Sequence, residues 1–211
     1  DRDMANKSLQ HSSLTDNIFY RSMLAGNDAY FPEFESDDFL EEVVLTSSAA
    51  SVTFSGLGAY SDYKHLQIRA VAAQTANSYD WKMRVNGDAT LGNYRSHYIW
   101  GNGSTVTSDS TNVTYFQLKQ SIPRLSASGY GADVDDSFNA TIVDVLDFSD
   151  TSKNTTVRTL SGFHEASSLG QGISLNSGGW FDTTAITSIS FEPISGSLVA
   201  GSRFSLYGSK G

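Results

Sequence analysis

The sequence predicts an all-β fold, an antiparallel β-sandwich or jelly roll, with a short N-terminal helical arm. Three observations lead there. Lys64-His65-Leu66-Gln67-Ile68-Arg69-Ala70 sets Leu66, Ile68 and Ala70 on one side and Gln67 and Arg69 on the other. Asp80-Trp81-Lys82-Met83-Arg84-Val85 repeats the pattern with Trp81, Met83 and Val85. Strand side chains alternate between faces, so a strand with one wet face writes a period of two. Asn86-Gly87 follows directly. That pair accepts the positive φ angles of a tight turn and, between alternating runs, is the strongest short hairpin signal.

Taken in order, residues 1–38 read as an arm. Asp16 is a natural N-cap, Asn17 to Ala25 a short helix and Gly26 its stop. Ile18, Phe19, Met23 and Leu24 form its apolar stripe. So short a helix does not persist alone, and it is expected to dock on its own domain or on another subunit. Tyr30-Phe31-Pro32-Glu33-Phe34 reads as an extended aromatic connector, and Glu35 to Asp38 as a solvated acidic run.

Residues 39–211 read as the β-domain. Strands are expected over Phe39–Thr46, Ser51–Ser55, Lys64–Ala73, Asp80–Val85, Tyr94–Trp100, Val113–Lys119, Phe138–Phe148, Thr155–Ser161, Ala185–Glu192 and Arg203–Gly208. Gly56-Leu57-Gly58, Asn86-Gly87-Asp88, Gly101-Asn102-Gly103, Ser149 to Asn154 and Ser195-Gly196 supply the turns between them. Many strands, short links and no strong interior helix point to two packed sheets. The expected core is Leu66, Ile68, Trp81, Met83, Val85, Phe138, Ile142, Phe204 and Leu206. Phe163 to Phe181 is Gly/Ser-rich and reads as a surface loop or as an edge strand broken by Gly178-Gly179.

Composition narrows the function. The formal charge is −9, and an acidic surface repels phosphate backbones, so no nucleic-acid partner is expected. No run of ~18 apolar residues is present, so no helical membrane insertion is expected. Cysteine is absent, which excludes a disulfide framework or a thiolate metal site. The first residues lack the apolar stretch of a signal peptide.

Site chemistry is sparse. His11, His65, His97 and His164 form no HxH or HExxH arrangement, and His65 and His97 read as polar-face strand residues. Asp133, Asp135 and Asp136 lack the ordered ligand spacing of a calcium loop and read as a solvated acidic loop. No metal and no cofactor is expected. Asp144 lies on the expected strand Phe138–Phe148, on the face that also holds Phe138, Ala140, Ile142 and Leu146. It reads as half of a structural ion pair with Arg69 or Arg158, rather than as one of the two carboxylates of a glycosidase. Trp100, Trp180, Tyr98, Tyr130 and Phe181 fall in or beside expected loops. Trp81 and Trp100 close alternating strands and read as packing. Trp180, after Gly178-Gly179, is the first candidate for an exposed contact, followed by Phe181 and Tyr130, because loops present the rings that stack on sugars or on partner subunits. The N-x-S/T triplets at Asn6, Asn102, Asn112, Asn139 and Asn154 read as chance in a chain rich in these residues.

Some segments carry a resemblance. Ser51-Val52-Thr53-Phe54-Ser55-Gly56-Leu57, followed by Tyr63-Lys64-His65-Leu66-Gln67-Ile68-Arg69, resembles a segment recurring in virion proteins of tailed bacteriophages. Met83-Arg84-Val85-Asn86-Gly87-Asp88 with Asn93-Tyr94 and His97-Tyr98 is similar to its continuation, and Ala185-Ile186-Thr187-Ser188-Ile189 with Phe204-Ser205-Leu206-Tyr207-Gly208 to its last strands. The likeness spans about residues 50–211, with departures at Phe191-Glu192-Pro193 and Ser209. It implies a non-enzymatic structural protein of the virion, a tail or fibre component or a capsid decoration, whose partners are other virion proteins. The expected assembly is a homotrimer contacted through the arm, because virion surface proteins repeat by symmetry. A carbohydrate-binding module for host-surface glycans is the alternative. A glycan-cleaving or deacetylating enzyme is the least supported reading.

Overall fold

The computed structural model describes residues 37–76, 78–123, 137–164 and 171–210. The expected arm helix with Ile18, Phe19, Met23 and Leu24, the ring of Tyr130 and the Asp133, Asp135 and Asp136 run lie outside the described residues. Asp37–Gly211 clusters as one unit.

Among the described residues there are twelve strands: β1 (Asp38–Val44), β2 (Val52–Ser55), β3 (His65–Val71), β4 (Trp81–Val85), β5 (Tyr94–Gly101), β6 (Val106–Thr111), β7 (Phe116–Leu118), β8 (Ala140–Leu146), β9 (Thr155–His164), β10 (Gln171–Trp180), β11 (Ser188–Pro193) and β12 (Arg203–Ser209). Every named pairing is antiparallel. Eight strands form one sheet in the order β1-β12-β3-β8-β9-β10-β5-β6, and four form the other, β2-β11-β4-β7. A jelly roll spreads eight strands over two sheets. Here a single sheet holds eight, so the fold is a sandwich with unequal layers.

The core lies between the layers. Trp81 and Phe191 come from the smaller sheet and Phe204 from the larger, and their ring centroids lie 5.6–5.7 Å apart. Leu66, Ile68, Met83, Val85 and Leu206 join them with no more than 1% exposure, as the alternation predicts. At one margin the Asp80 carboxylate accepts from Lys119 Nζ at 2.8 Å, Gln117 Nε2 at 3.0 Å and Gln120 N–H at 2.8 Å, closing the β4–β7 end of the smaller sheet.

Four expectations need correction. The Asn86-Gly87 turn forms, with φ of 53° and 66° and Asp88 N–H donating to Val85 O at 2.8 Å. It does not close a hairpin, because β4 pairs with β11 and β7 while β5 pairs with β10 and β6. The turn is where the chain changes sheet. Asn86 is held there by other strands: its Oδ1 accepts from Thr187 N–H at 2.8 Å and Ser188 N–H at 3.1 Å.

The expected strand Val113–Lys119 shrinks to β7, and β6 forms upstream of it instead. The stretch read as a loop or broken edge is β10, an interior strand between β9 and β5. Its glycines are spacing residues. A Cβ on Gly178 would overlap the Arg95 carbonyl and lie 2.8 Å from the Phe116 ring, and one on Gly179 would lie 2.7 Å from Thr155 O. Glycine in a strand marks such close backbone approach as readily as a break.

The fourth correction is the phase of β8. Phe138 is half-buried and Ile142 is 40% exposed, whereas Asn139, Thr141, Val143 and Val145 point inward. A slip of one residue exchanges the two faces. The inward file is polar at one end, and hydrogen bonds make that tolerable. Asn139 Oδ1 accepts from Ala72 N–H at 2.7 Å, its amide donates to Thr141 Oγ1 at 2.8 Å and to Ser121 O, and Thr141 Oγ1 donates to Ser161 Oγ at 2.9 Å.

Candidate interaction face

The polar inward file continues across the larger sheet. Thr159 and Ser161 on β9 and Ser174 and Asn176 on β10 are buried. Asn176 Nδ2 donates to Thr159 Oγ1 at 2.9 Å, and its Oδ1 accepts from Lys119 N–H at 3.0 Å. Tyr98 and Trp100 extend these files onto β5, opposite Asn176 and Ser174, and are half-buried.

With small polar residues inside, the aliphatic residues of the same strands must face out. Register then aligns them. Ile142 on β8 lies opposite Leu160 on β9, Leu160 opposite Leu175 on β10, and Leu175 opposite Ile99 on β5. A parallel row holds Ala140, Gly162, Ile173, Gly101 and Val106. Directly opposed residues sit ~5 Å apart, so the first row is an unbroken aliphatic ridge across four strands. It is open to solvent: Ile142 is 40% exposed, Leu160 51%, Leu175 46% and Ile99 47%. Isolated exposed aliphatics are ordinary, but contiguous ones with a polar rim mark an interaction surface.

The rim is ion-paired. Arg158 donates to Asp144 Oδ2 through Nε at 3.1 Å and Nη2 at 2.8 Å, and Gln67 Nε2 donates to Asp144 Oδ1 at 2.9 Å. Asp144 is thus half of a structural pair with Arg158, one of the two partners the sequence offered. At the β3 end of the ridge Arg69, opposite Ile142, meets Asp37 Oδ2 through Nη2 at 2.9 Å. His97 stands on the outer face between Ser177 and Ser110. His65 is a strand residue whose Nδ1 accepts from Asp147 N–H at 3.0 Å.

The aromatic candidates separate. Trp180 ends β10, is 3% exposed and donates from Nε1 to Asp88 Oδ2 at 2.7 Å. The reading of Trp180 as an exposed loop ring is therefore corrected: it is a packing residue, and the glycines before it bring strands together rather than open a loop. Phe181 is 49% exposed, with the Arg95 guanidinium 5.8 Å from its ring centroid. Asn139, the start of one N-x-S/T triplet, is 2% exposed and fully engaged.

Four carboxylates, Asp88, Asp150, Asp182 and Glu192, hold their protons less tightly than usual. Burial works against ionisation of Asp88, but hydrogen bonds from Trp180, Thr90 and Asn93 outweigh it and hold the carboxyl well below the usual range. Burial likewise opposes the Glu192 charge, and Lys82 and Arg84 overcome it. At exposed Asp150, hydrogen bonds from Ser152 lower the value. Among the described residues no group of three or more His, Asp or Glu side chains gathers as a metal site.

Ile173 and Leu175 alternate with Ser174 and Asn176 in the sequence, a strand signal that the reading as a loop or broken edge overlooks. On β8 the inference that failed was that apolar Phe138 and Ile142 face inward. No protein-family model and no curated protein matches this chain.

Proposed function

We propose that this chain is a non-enzymatic structural component of a bacteriophage virion, a tail or fibre part or a capsid decoration, that attaches to its neighbours through the outer face of its larger sheet. The observation carrying this reading is the aliphatic ridge Ile142-Leu160-Leu175-Ile99, rimmed by the Asp144–Arg158 pair. Leaving such a ridge wet forgoes about 25 cal/mol for each Å² a partner would cover. The segment resemblance to tailed-phage proteins supplies the particle. Mass spectrometry of purified particles tests it: the chain is expected at a fixed copy number, and its absence from washed particles overturns the reading.

A second reading, recognition of a host-surface glycan, is favoured by one observation, the exposed Phe181 ring beside Arg95. Aromatic faces stack on sugars. Glycan-array binding that disappears in Phe181→Ala, with the thermal melt unchanged, supports it, and a blank array removes it.

A further inference from the structure

Among the described residues, β1 and β6 are the outer strands of the larger sheet, and they are built differently. β1 has a register shift between Phe39 and Glu41 and carries Asp38, Glu41 and Glu42. A bulge and charges are the devices by which edges resist pairing. β6 runs in unbroken register with β5 from Ser96↔Thr111 to Gly101↔Val106. Its sequence, Val106-Thr107-Ser108-Asp109-Ser110-Thr111, has no Pro, Lys or Arg, and Val106 to Ser110 are exposed. No described strand pairs with its outer side.

The preceding turn fixes which backbone groups that edge presents. Asn102 N–H donates to Thr105 O at 3.2 Å, which makes Asn102 and Thr105 a hydrogen-bonded pair. Bonded and non-bonded pairs alternate along an antiparallel ladder. Trp100↔Thr107 and Tyr98↔Asp109 are therefore bonded within the ladder. Val106, Ser108 and Ser110 turn their N–H and C=O groups outward, where no described strand meets them.

We infer that β6 pairs antiparallel with β6 of a second copy of this chain, about a two-fold axis at Ser108. The register selects itself. Centred on Ser108, Val106 meets Ser110, Ser108 meets Ser108 and Ser110 meets Val106, so all the outward groups bond and about six main-chain hydrogen bonds form. Each Asp109 then faces a Thr107 hydroxyl. Centring on Asp109 instead would set the two carboxylates against each other and lose a bonded pair, and centring on Thr107 would lose a pair as well. The contact is isologous, the same strand on both sides. It joins two eight-stranded sheets edge to edge: the rows ending at Ile99 meet through the Ser108 of each copy, and each Val106 meets the Ser110 of the other copy. Such a pair is a dimer, in place of the trimer expected from virion symmetry alone. The inference does not rest on membership of a virion.

Light scattering coupled to size exclusion on the full chain tests it. At roughly 100 μM, tenfold above a Kd of about 10 μM, about four fifths of wild-type chains are expected in the dimer, a weight-average mass about 1.8 times the 22.8 kDa chain. Ser108→Pro removes an outward N–H and no bond within the sheet, which an edge strand tolerates. It is expected at the single-chain mass with an unchanged thermal melt. Ser108→Lys places a charge on the same edge and is expected to do the same, so misfolding of one variant leaves the other decisive. In amide exchange, Val106, Ser108 and Ser110 should gain protection as concentration rises, while Thr107 and Asp109 are protected throughout. A wild-type chain that stays at single mass overturns the inference, and that is also the result if the edge serves another protein's strand. So does a trimer, or a dimer that survives both substitutions.

Discussion

Trp180 Nε1 donates a 2.7 Å hydrogen bond to Asp88 Oδ2 across 92 positions of sequence. Trp180 closes β10 in the larger sheet, and Asp88 sits in the turn by which the chain leaves the smaller one. The same carboxylate accepts from Asn93 Nδ2 at 2.9 Å and Thr90 N–H at 2.8 Å. One charged group thus fixes the crossover segment and the end of an interior strand together.

Trp180→Phe keeps an aromatic ring and deletes the donor. A hydrogen bond to a charged group is worth about 1.5–3 kcal/mol, and a loss in that range is expected from urea unfolding. Combined with Asp88→Asn, the two losses should add to less than their sum. Full additivity would mean that the bond does not couple the two sites.

Acid should destabilise the protein partly through Asp88. Its folded carboxyl lies well below the usual range. Between that depressed value and an unfolded value of about 3.9, the unfolded chain binds a proton that the folded chain does not. The contribution is therefore complete above about pH 5 and falls away as pH drops below about 4. Asp88→Asn should flatten the slope of stability against pH over that window. An unchanged slope removes Asp88 as the source.

Core phase is testable by a pair of substitutions. Phe204 is fully buried and Ile142 is 40% exposed. Phe204→Ala should cost about 3–5 kcal/mol, and Ile142→Ala, on the wet face, about 0.5 kcal/mol or less. Equal costs would place Ile142 in the core and reverse the assigned phase of β8.

Gly178→Ala should be severely destabilising, well above the ~1 kcal/mol typical of single substitutions, because the new methyl meets the Arg95 backbone and the Phe116 ring. Gly87→Ala, where nothing lies within 4 Å but φ is +66°, should cost about 1 kcal/mol through backbone strain alone. Thermal melts that rank the two in the opposite order would contradict the close approach of β10 and β5.

Leu175→Glu breaks the middle of the aliphatic ridge. The thermal stability of the folded chain should move by no more than about 0.5 kcal/mol, while the proposed attachment predicts that incorporation into particles is lost. A destabilised monomer would show that Leu175 packs inward, and normal incorporation would dissociate the ridge from attachment.

Local chemistry made much of this protein legible from its sequence. Period-two alternation located β3 and β4 and set their inward residues correctly, because both have an apolar face and a charged one. Asn86-Gly87 was sound as a turn, since positive φ is a local demand. The phase of β8 and the nature of β10 were decided only by tertiary structure. Phe138 and Ile142 looked more core-like than Asn139 and Thr141. Yet partners from Ala72, Ser121 and Ser161, far apart in the chain, satisfy the polar file and let the aliphatics face water. Gly178-Gly179 looked like a break until the Arg95 and Thr155 carbonyls were seen to press against it. Hairpin or crossover was equally beyond local reading, because the same turn serves both and strand pairing depends on which edge β5 meets. Backbone conformation and alternation are properties of neighbouring residues, so sequence carries them. Which face is wet, and which edge is open, are properties of what packs from elsewhere in the chain, and only the folded sheets determine them.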